Sequence, residues 1–289
     1  MRGELYLFVA TILAAIGWIA SKMVIQDVPG DAFIATRFLL ASLILLPFCY
    51  KAIIKLGLKR IAASCGVGLF LAVSLQVWIY ALSISDGLSE GAFIMALAMI
   101  IAPMTAWILF RSRPNRAFWF ALPISILGMG LLTLGNGWHV EKSQLLFLLA
   151  SALLSVHFVL NKRVSASVKP LVTITLQLFT VGAAGTIFAL LSGTAEFEIT
   201  NQTIFWFTVS TLVATSIRYL LQTMGQFTVK IETASLLMIL EPVWTMIMSF
   251  TMLGEQLDVK KVLGGGVILL SLFVYVRFAQ IQKMLGFRA

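Results

Sequence analysis

"LLMILEPVWTMIM", Leu236–Met248, sets a single carboxylate, Glu241, beside Pro242 in a run that is otherwise neutral and mostly apolar. Taking an ionised carboxylate out of water costs several kcal/mol even after the surroundings relax. What surrounds this segment therefore decides what the acid is for. Hydrophobic residues make up 60% of the 289-residue chain and charged residues only 11%, with a mean hydropathy of +0.99. Soluble domains carry about 25% charged residues, and one of this size could not hide so much apolar surface. The composition predicts an all-α integral membrane protein, and the Glu241 segment is one of its spans.

Crossing a hydrocarbon core takes about 20 apolar residues. Ten runs qualify: 5–25, 32–50, 61–85, 88–110, 116–135, 143–165, 170–192, 203–228, 231–252 and 259–281. The connections are short, and the first run is longer than a signal-peptide core, so it is expected to be retained. Basic residues set the orientation. With the N-terminus in the cytoplasm, the inner segments hold Arg2; Lys51, Lys55, Lys59 and Arg60; Arg111, Arg113 and Arg116; Lys162, Arg163 and Lys169; Lys230; and Arg277, Lys283 and Arg288. The outer segments hold Lys142, Lys260 and Lys261, alongside Asp27, Asp31, Glu141, Glu196 and Glu198. Both termini are thus expected to be cytoplasmic. The net charge of +9 belongs to lipid-facing loops and calls for no nucleic acid. Cys49 and Cys65 form no CxxC and suit packing.

The halves echo one another. "GWIASK" (17–22) parallels "HFVLNK" (157–162), and "VPGDAFIATRF" (28–38) parallels "VKPLVTITLQLF" (168–179) with one insertion. "MIIAPMTAW" (99–107) parallels "MILEPVWTM" (238–246), and "LGMGLLTL" (127–134) parallels "LGGGVILL" (263–270). Lys22 thereby falls over Lys162 and Pro103 over Pro242. The units are 1–138 and 139–289. Each holds five spans, an odd number, so the second enters the membrane from the opposite side. Two inverted five-helix repeats are a signature of secondary transporters, whose substrate site lies near midplane between the repeats.

"ETASLLMILEPVWTMIMSFTMLGE" (232–255), followed by "VLGGGVILL", resembles the second-repeat signature of the EamA family in the drug/metabolite transporter superfamily. The helical arginine of "ATRFLLA" (35–41) resembles that of its first repeat. The resemblance implies a bacterial inner-membrane carrier that exports amino acids or related metabolites. It also implies a central cavity lined by helices 1–4 and 6–9, with helices 5 and 10 peripheral. The first half departs from the pattern, with "FRSRPNR" (110–116) where the second carries Gly254-Glu255. The family carries many unrelated small molecules, so the signature sets the fold and leaves the substrate open.

Ionisable residues inside spans are the functional candidates. Glu241 stands near the middle of its span beside a proline that removes a backbone donor, and the first half has Ala102 in its place. It could bind a substrate amine, carry a proton as coupling ion, or fix helix packing. Arg218 is the nearest cation in depth, set to pair with Glu241, meet a substrate carboxylate or snorkel. His157 is a proton relay or a hydrogen-bonded packing residue. Gln222 would bind substrate or bridge helices. Trp18, Trp244, Tyr80 and Tyr219 are candidates to wall an apolar pocket, Trp244 because it follows Glu241 by three residues. Trp119, Trp138 and Trp206 fit the interfacial belt. Pro103, Pro242, Lys22 and Arg37 are gating or hinge candidates, Arg37 alternatively anchoring to outer carbonyls or headgroups. Glycines at 128, 130 and 264–266 allow close packing, expected within a monomer more than across a dimer.

No metal-ligand spacing, cofactor motif, HExxH, GxSxG or paired aspartates occur, so an enzyme is not expected. The alternatives to a carrier of this kind are a channel or facilitator, which lacks the expected rings of charge, and a carrier of another class such as drugs or nucleotides. The expected partners are a small-molecule substrate and the bilayer.

Overall fold

A computed structural model describes residues 2–111, 113–114, 116–133, 141–165, 167–193, 199–229, 234, 237–238, 240–256 and 259–284. Glu196, Glu198, Trp138, Lys230, Arg288 and the 138/139 boundary lie outside the described residues. Among those described there is no strand. The longer helices are α1 (Arg2–Val24), α2 (Gly30–Leu45), α3 (Leu58–Ser83), α4 (Leu88–Phe110), α5 (Arg116–Thr133), α6 (Lys142–Ser165), α7 (Pro170–Ser192), α8 (Asn201–Thr228), α9 (Leu240–Leu253) and α10 (Val259–Met284), with a short helix, Tyr50–Ile54, between α2 and α3. Seven are long and apolar enough to cross a membrane: α1, α2 with its 3-10 extension to Phe48, α3, α4, α6, α7 and α8. Shorter apolar stretches, Arg116–Gly128 and Val262–Tyr275, lie in α5 and α10. Leu43, Phe70, Ile126, Leu127 and Phe205 are among the large apolar side chains left on the outside of the bundle, where hydrocarbon would solvate them.

Three helices differ from the uniform spans expected. The described part of α9 begins at Leu240, so Glu241 and Pro242 fall in its first turn, although Ala234, Leu237 and Met238 before it are also helical. Helix α4 is interrupted at Leu97, whose N–H turns to Ile94 O at 3.1 Å; Pro103 lies in the piece that follows. Helix α8 widens into a π-helical segment over Leu212–Ile217. There Thr215 Oγ1 donates to Ser210 O at 2.8 Å and Ser216 Oγ to Thr211 O at 3.0 Å, each five residues back. Such bulges recur at functional sites.

The packing crosses between the halves. The principal pairs are α2 with α7 and with α8, α3 with α6 and with α7, α1 with α8 and with α9, α4 with α6 and with α9, and α5 with α10. Advancing every helix by five carries this set onto itself. Two contacts fix directions. Lys22, at the end of α1, meets the end of α3 through Leu82 O and Ser85 O. Tyr80, near that same end of α3, meets Lys142 at the start of α6. Helix α6, the counterpart of α1, therefore runs opposite to it. Helices α5 and α10 pack on each other, with Gly128 against Gly264 O and Ile268 and a Ser125–Ser271 hydrogen bond of 2.6 Å. These glycines are used inside one chain.

Close approach between α2 and α7 depends on Gly182. A Cβ there would stand 2.6 Å from both Leu39 N and Leu39 Cγ, so backbone would have to move. Gly182→Ala should cost about 1–3 kcal/mol, read as a lowered melting temperature in detergent; an unchanged melt would refute the packing.

Candidate functional site

A cavity of about 110 Å³ lies between the halves. The first half supplies Trp18 (α1), Arg37 and Phe38 (α2), Trp78 (α3) and Met95 and Met99 (α4). The second supplies His157 and Phe158 (α6), Arg218, Tyr219 and Gln222 (α8), and Glu241 and Pro242 (α9). Among the described residues, helices α5 and α10 contribute nothing to this wall. Nor does α7, which the family resemblance had placed there; its Gln177 stands behind His157 instead.

Glu241 is held from two sides. Trp18 Nε1 donates to its Oε1 at 3.0 Å, and Arg218 Nη2 approaches its Oε2 at 3.4 Å. The acid thus ties α9 to α1 and to α8. Trp18 is itself fixed, packing edge-on against Trp78 at 5.1 Å between centroids and against Phe147 at 5.9 Å. The Arg218 guanidinium lies 4.3 Å from the centroid of the Tyr219 ring, a favourable cation–π distance. Among the described residues, Arg218 Nε and Gln222 Oε1 are buried without a hydrogen-bond partner.

Arg37 is 4% exposed. Its Nε donates to Thr215 Oγ1 in the π segment, and its Nη1 donates to Ser21 Oγ at 2.9 Å. It also lies 5.3 Å from the ring centroids of Phe33 and Phe38. It does not reach out to headgroups or outer carbonyls: the π widening turns the Thr215 hydroxyl toward it, and the guanidinium folds into the bundle. His157 Nε2 lies 3.1 Å from Gln177 Oε1, and Gln177 Nε2 donates to Asn161 Oδ1 at 2.8 Å. A line of polar side chains thus leads from the cavity wall toward the Lys162 end of α6.

Trp244 and Tyr80, expected in the wall, stand outside it. Trp244 is rotated far enough from Glu241 to pack edge-on against Phe8, 6.1 Å between centroids. Tyr80 is half exposed and accepts a hydrogen bond from Lys142 Nζ at 3.0 Å. Trp78, two residues earlier, takes the inner position, because successive pairs on a helix point to nearly opposite sides. Lys22 and Pro103 are also off the cavity. Lys22 caps the end of α3, through Leu82 O at 3.1 Å and Ser85 O at 2.6 Å. Lys162 does the equivalent at the other end of the bundle, donating to Gln226 O of α8 at 3.3 Å. Glu255, named from sequence only as part of the family signature and not as a site residue, ties the α9–α10 connection to the start of α4. Its Oε2 accepts from Leu88 N at 3.1 Å, Ser89 N at 3.3 Å, Ser89 Oγ at 3.0 Å and Ser249 Oγ. Three of these four bonds come from a helix start more than 160 positions away, which spacing cannot reveal. Among the described residues no group of three His, Cys, Asp or Glu is placed to hold a metal.

The model of the EamA-like transporter family matches residues 1–134 and again residues 142–277. No curated protein matched the chain. A solved crystal structure is similar over 97% of this chain and 98% of its own, at 14% identity and a TM-score of 0.72. That similarity concerns the fold alone.

Proposed function

The chain belongs to the EamA-like transporter family, and from that membership we propose that it is a secondary transporter exporting amino acids or related small metabolites across a bacterial inner membrane by alternating access. It is a multi-pass membrane protein of the drug/metabolite transporter superfamily. The proposed topology has ten crossings in two inverted units, 1–138 and 139–289, with both termini cytoplasmic and α5, α9 and α10 completing the seven long spans. The observation that carries the reading is the charged cavity at the junction of the halves, walled by Trp18, Arg37 and Trp78 from one and His157, Arg218 and Glu241 from the other. Substrate would bind there, since rocking of two similar halves about a central site is how such folds change access. Helices α1, α8 and α9 carry the groups that would respond to it, Pro103 and Pro242 being the proposed hinges.

Purified protein in liposomes should show saturable counterflow of a labelled substrate found by metabolite profiling of cells with and without the gene. Flux that rises without saturation would make it a channel. If Glu241 carries a coupling proton, Glu241→Gln should abolish proton dependence of that counterflow, because the amide keeps the Trp18 hydrogen bond and has no proton to exchange. Proton dependence that survives the change would assign Glu241 to packing.

A further inference from the structure

Burying a cation without an anion is costly, and natural folds pair such charges or place them where a ligand pairs them. The ionisable groups on the cavity wall are Arg37, His157, Arg218, Tyr219 and Glu241. Glu241, the one carboxylate among them, faces Arg218 at 3.4 Å. Arg37 has no carboxylate: among the described residues its hydrogen bonds go to two neutral hydroxyls, Thr215 Oγ1 and Ser21 Oγ. Each of those hydroxyls donates onward to a backbone carbonyl, Ser210 O and Gly17 O, so their lone pairs are turned to the guanidinium. Nε and Nη1 are thereby used, and Nη2 makes no hydrogen bond among the described residues. The flanking rings of Phe33 and Phe38 hold the guanidinium in place without neutralising it.

We infer that Arg37 is the anion-binding residue of the cavity and that the cargo is a small molecule bearing a carboxylate, which supplies the counter-charge the wall lacks. This rests on the carrier reading above and narrows it. An Arg37–carboxylate contact is charge-assisted on both sides, and the guanidinium is held by two other helices before the ligand arrives. The cargo's apolar part would lie against Leu75, Met95, Met99 and Leu154, which share the wall. A cargo without an anion would leave the Arg37 charge as it stands and gain nothing from it. In the absence of cargo the wall carries one positive charge in excess, Arg37 and Arg218 against Glu241, which draws an anion inward.

The test uses four compounds with one branched apolar group: L-leucine, L-leucinamide, 4-methylpentanoate and 3-methylbutylamine. Thermal stability of the purified full chain, titrated with each, reads binding. Leucine and 4-methylpentanoate should raise the melting temperature of the wild type; the amide and the amine should not. Arg37→Gln should weaken the two acids by roughly tenfold to a hundredfold, and Arg37→Lys, keeping the charge without the fork, should fall between. If Arg37→Gln does not fold, the wild-type series decides alone. Stabilisation by the amide or amine equal to that by the acids, or none by any of the four, overturns the assignment. Counterflow separates the two levels of the argument: saturable exchange of the amide or amine keeps the carrier and removes the anion site, whereas unsaturable flux removes the carrier.

Discussion

Arg218→Met should destabilise the protein by about 2–4 kcal/mol, because it leaves the Glu241 carboxylate buried without its cation. The value sits toward the lower part of the range for broken buried pairs. The contact is 3.4 Å, and the two side chains keep 14% and 19% of their surface exposed, so cavity water screens part of the interaction. Glu241→Gln should cost less. It removes the same pair but leaves Arg218 against the Tyr219 ring at 4.3 Å, and the amide oxygen can still accept from Trp18 Nε1. The double variant should therefore recover a large share of the Arg218→Met loss. Denaturant or thermal unfolding of the four proteins in one detergent gives the coupling directly. Strict additivity would mean that the pair carries no energy and that Glu241 is held by Trp18 alone.

The sequence showed the membrane class, the seven long spans and the doubling, because these rest on hydropathy runs and on motifs repeated in order. Apart from α9, whose described part begins at Leu240, well inside the run 231–252, the described helices begin and end within about five residues of the runs, α7 at 170–192 matching outright. Glu241, Arg218, His157 and Gln222, polar residues read as lying within spans, line the cavity, and so does Arg37, which had been expected near the outer end. What it could not show is rotation about a helix axis when nearly every neighbour is apolar. A polar face normally marks the exposed side of a helix, but in a bilayer both sides are apolar, so Tyr80 and Trp78 are indistinguishable as candidates until packing turns one inward. The π segment of α8 was equally hidden. Its hydroxyls at Thr211, Thr215 and Ser216 look like ordinary helix-packing groups, and only the five-residue bonds expose the extra width that brings Thr215 to Arg37. The doubled lysines did carry a readable signal: matched positions in the two halves became matched caps at opposite ends.

Those caps are unequal, and the inequality gives the last expected result. At one end Lys22 makes two hydrogen bonds to the end of α3, while Glu255 closes the start of α4 across the same loop. At the other end Lys162 makes one bond of 3.3 Å. Glu255 is the stronger element, since a carboxylate on free N–H groups at a helix start meets both unpaired donors and the positive end of the helix dipole. Glu255→Ala should thus weaken that closure by about 2 kcal/mol, enough to raise the open population about thirtyfold. Labelling can read this. With Cys49 and Cys65 replaced by serine, Ser85→Cys reports on the closed end, because Ser85 is only 8% exposed there. Its reaction with a membrane-impermeant thiol reagent should accelerate when Glu255→Ala is added. Gly87→Ala should act in the same direction while leaving Glu255 in the sequence, since a methyl group there would run into Glu255 Oε1. If neither change alters the labelling rate, the Glu255 tie is a static loop support. If both accelerate it, the energy that closes this end resides in one carboxylate of the second half gripping a helix start of the first, so any rocking of the halves has to break that grip.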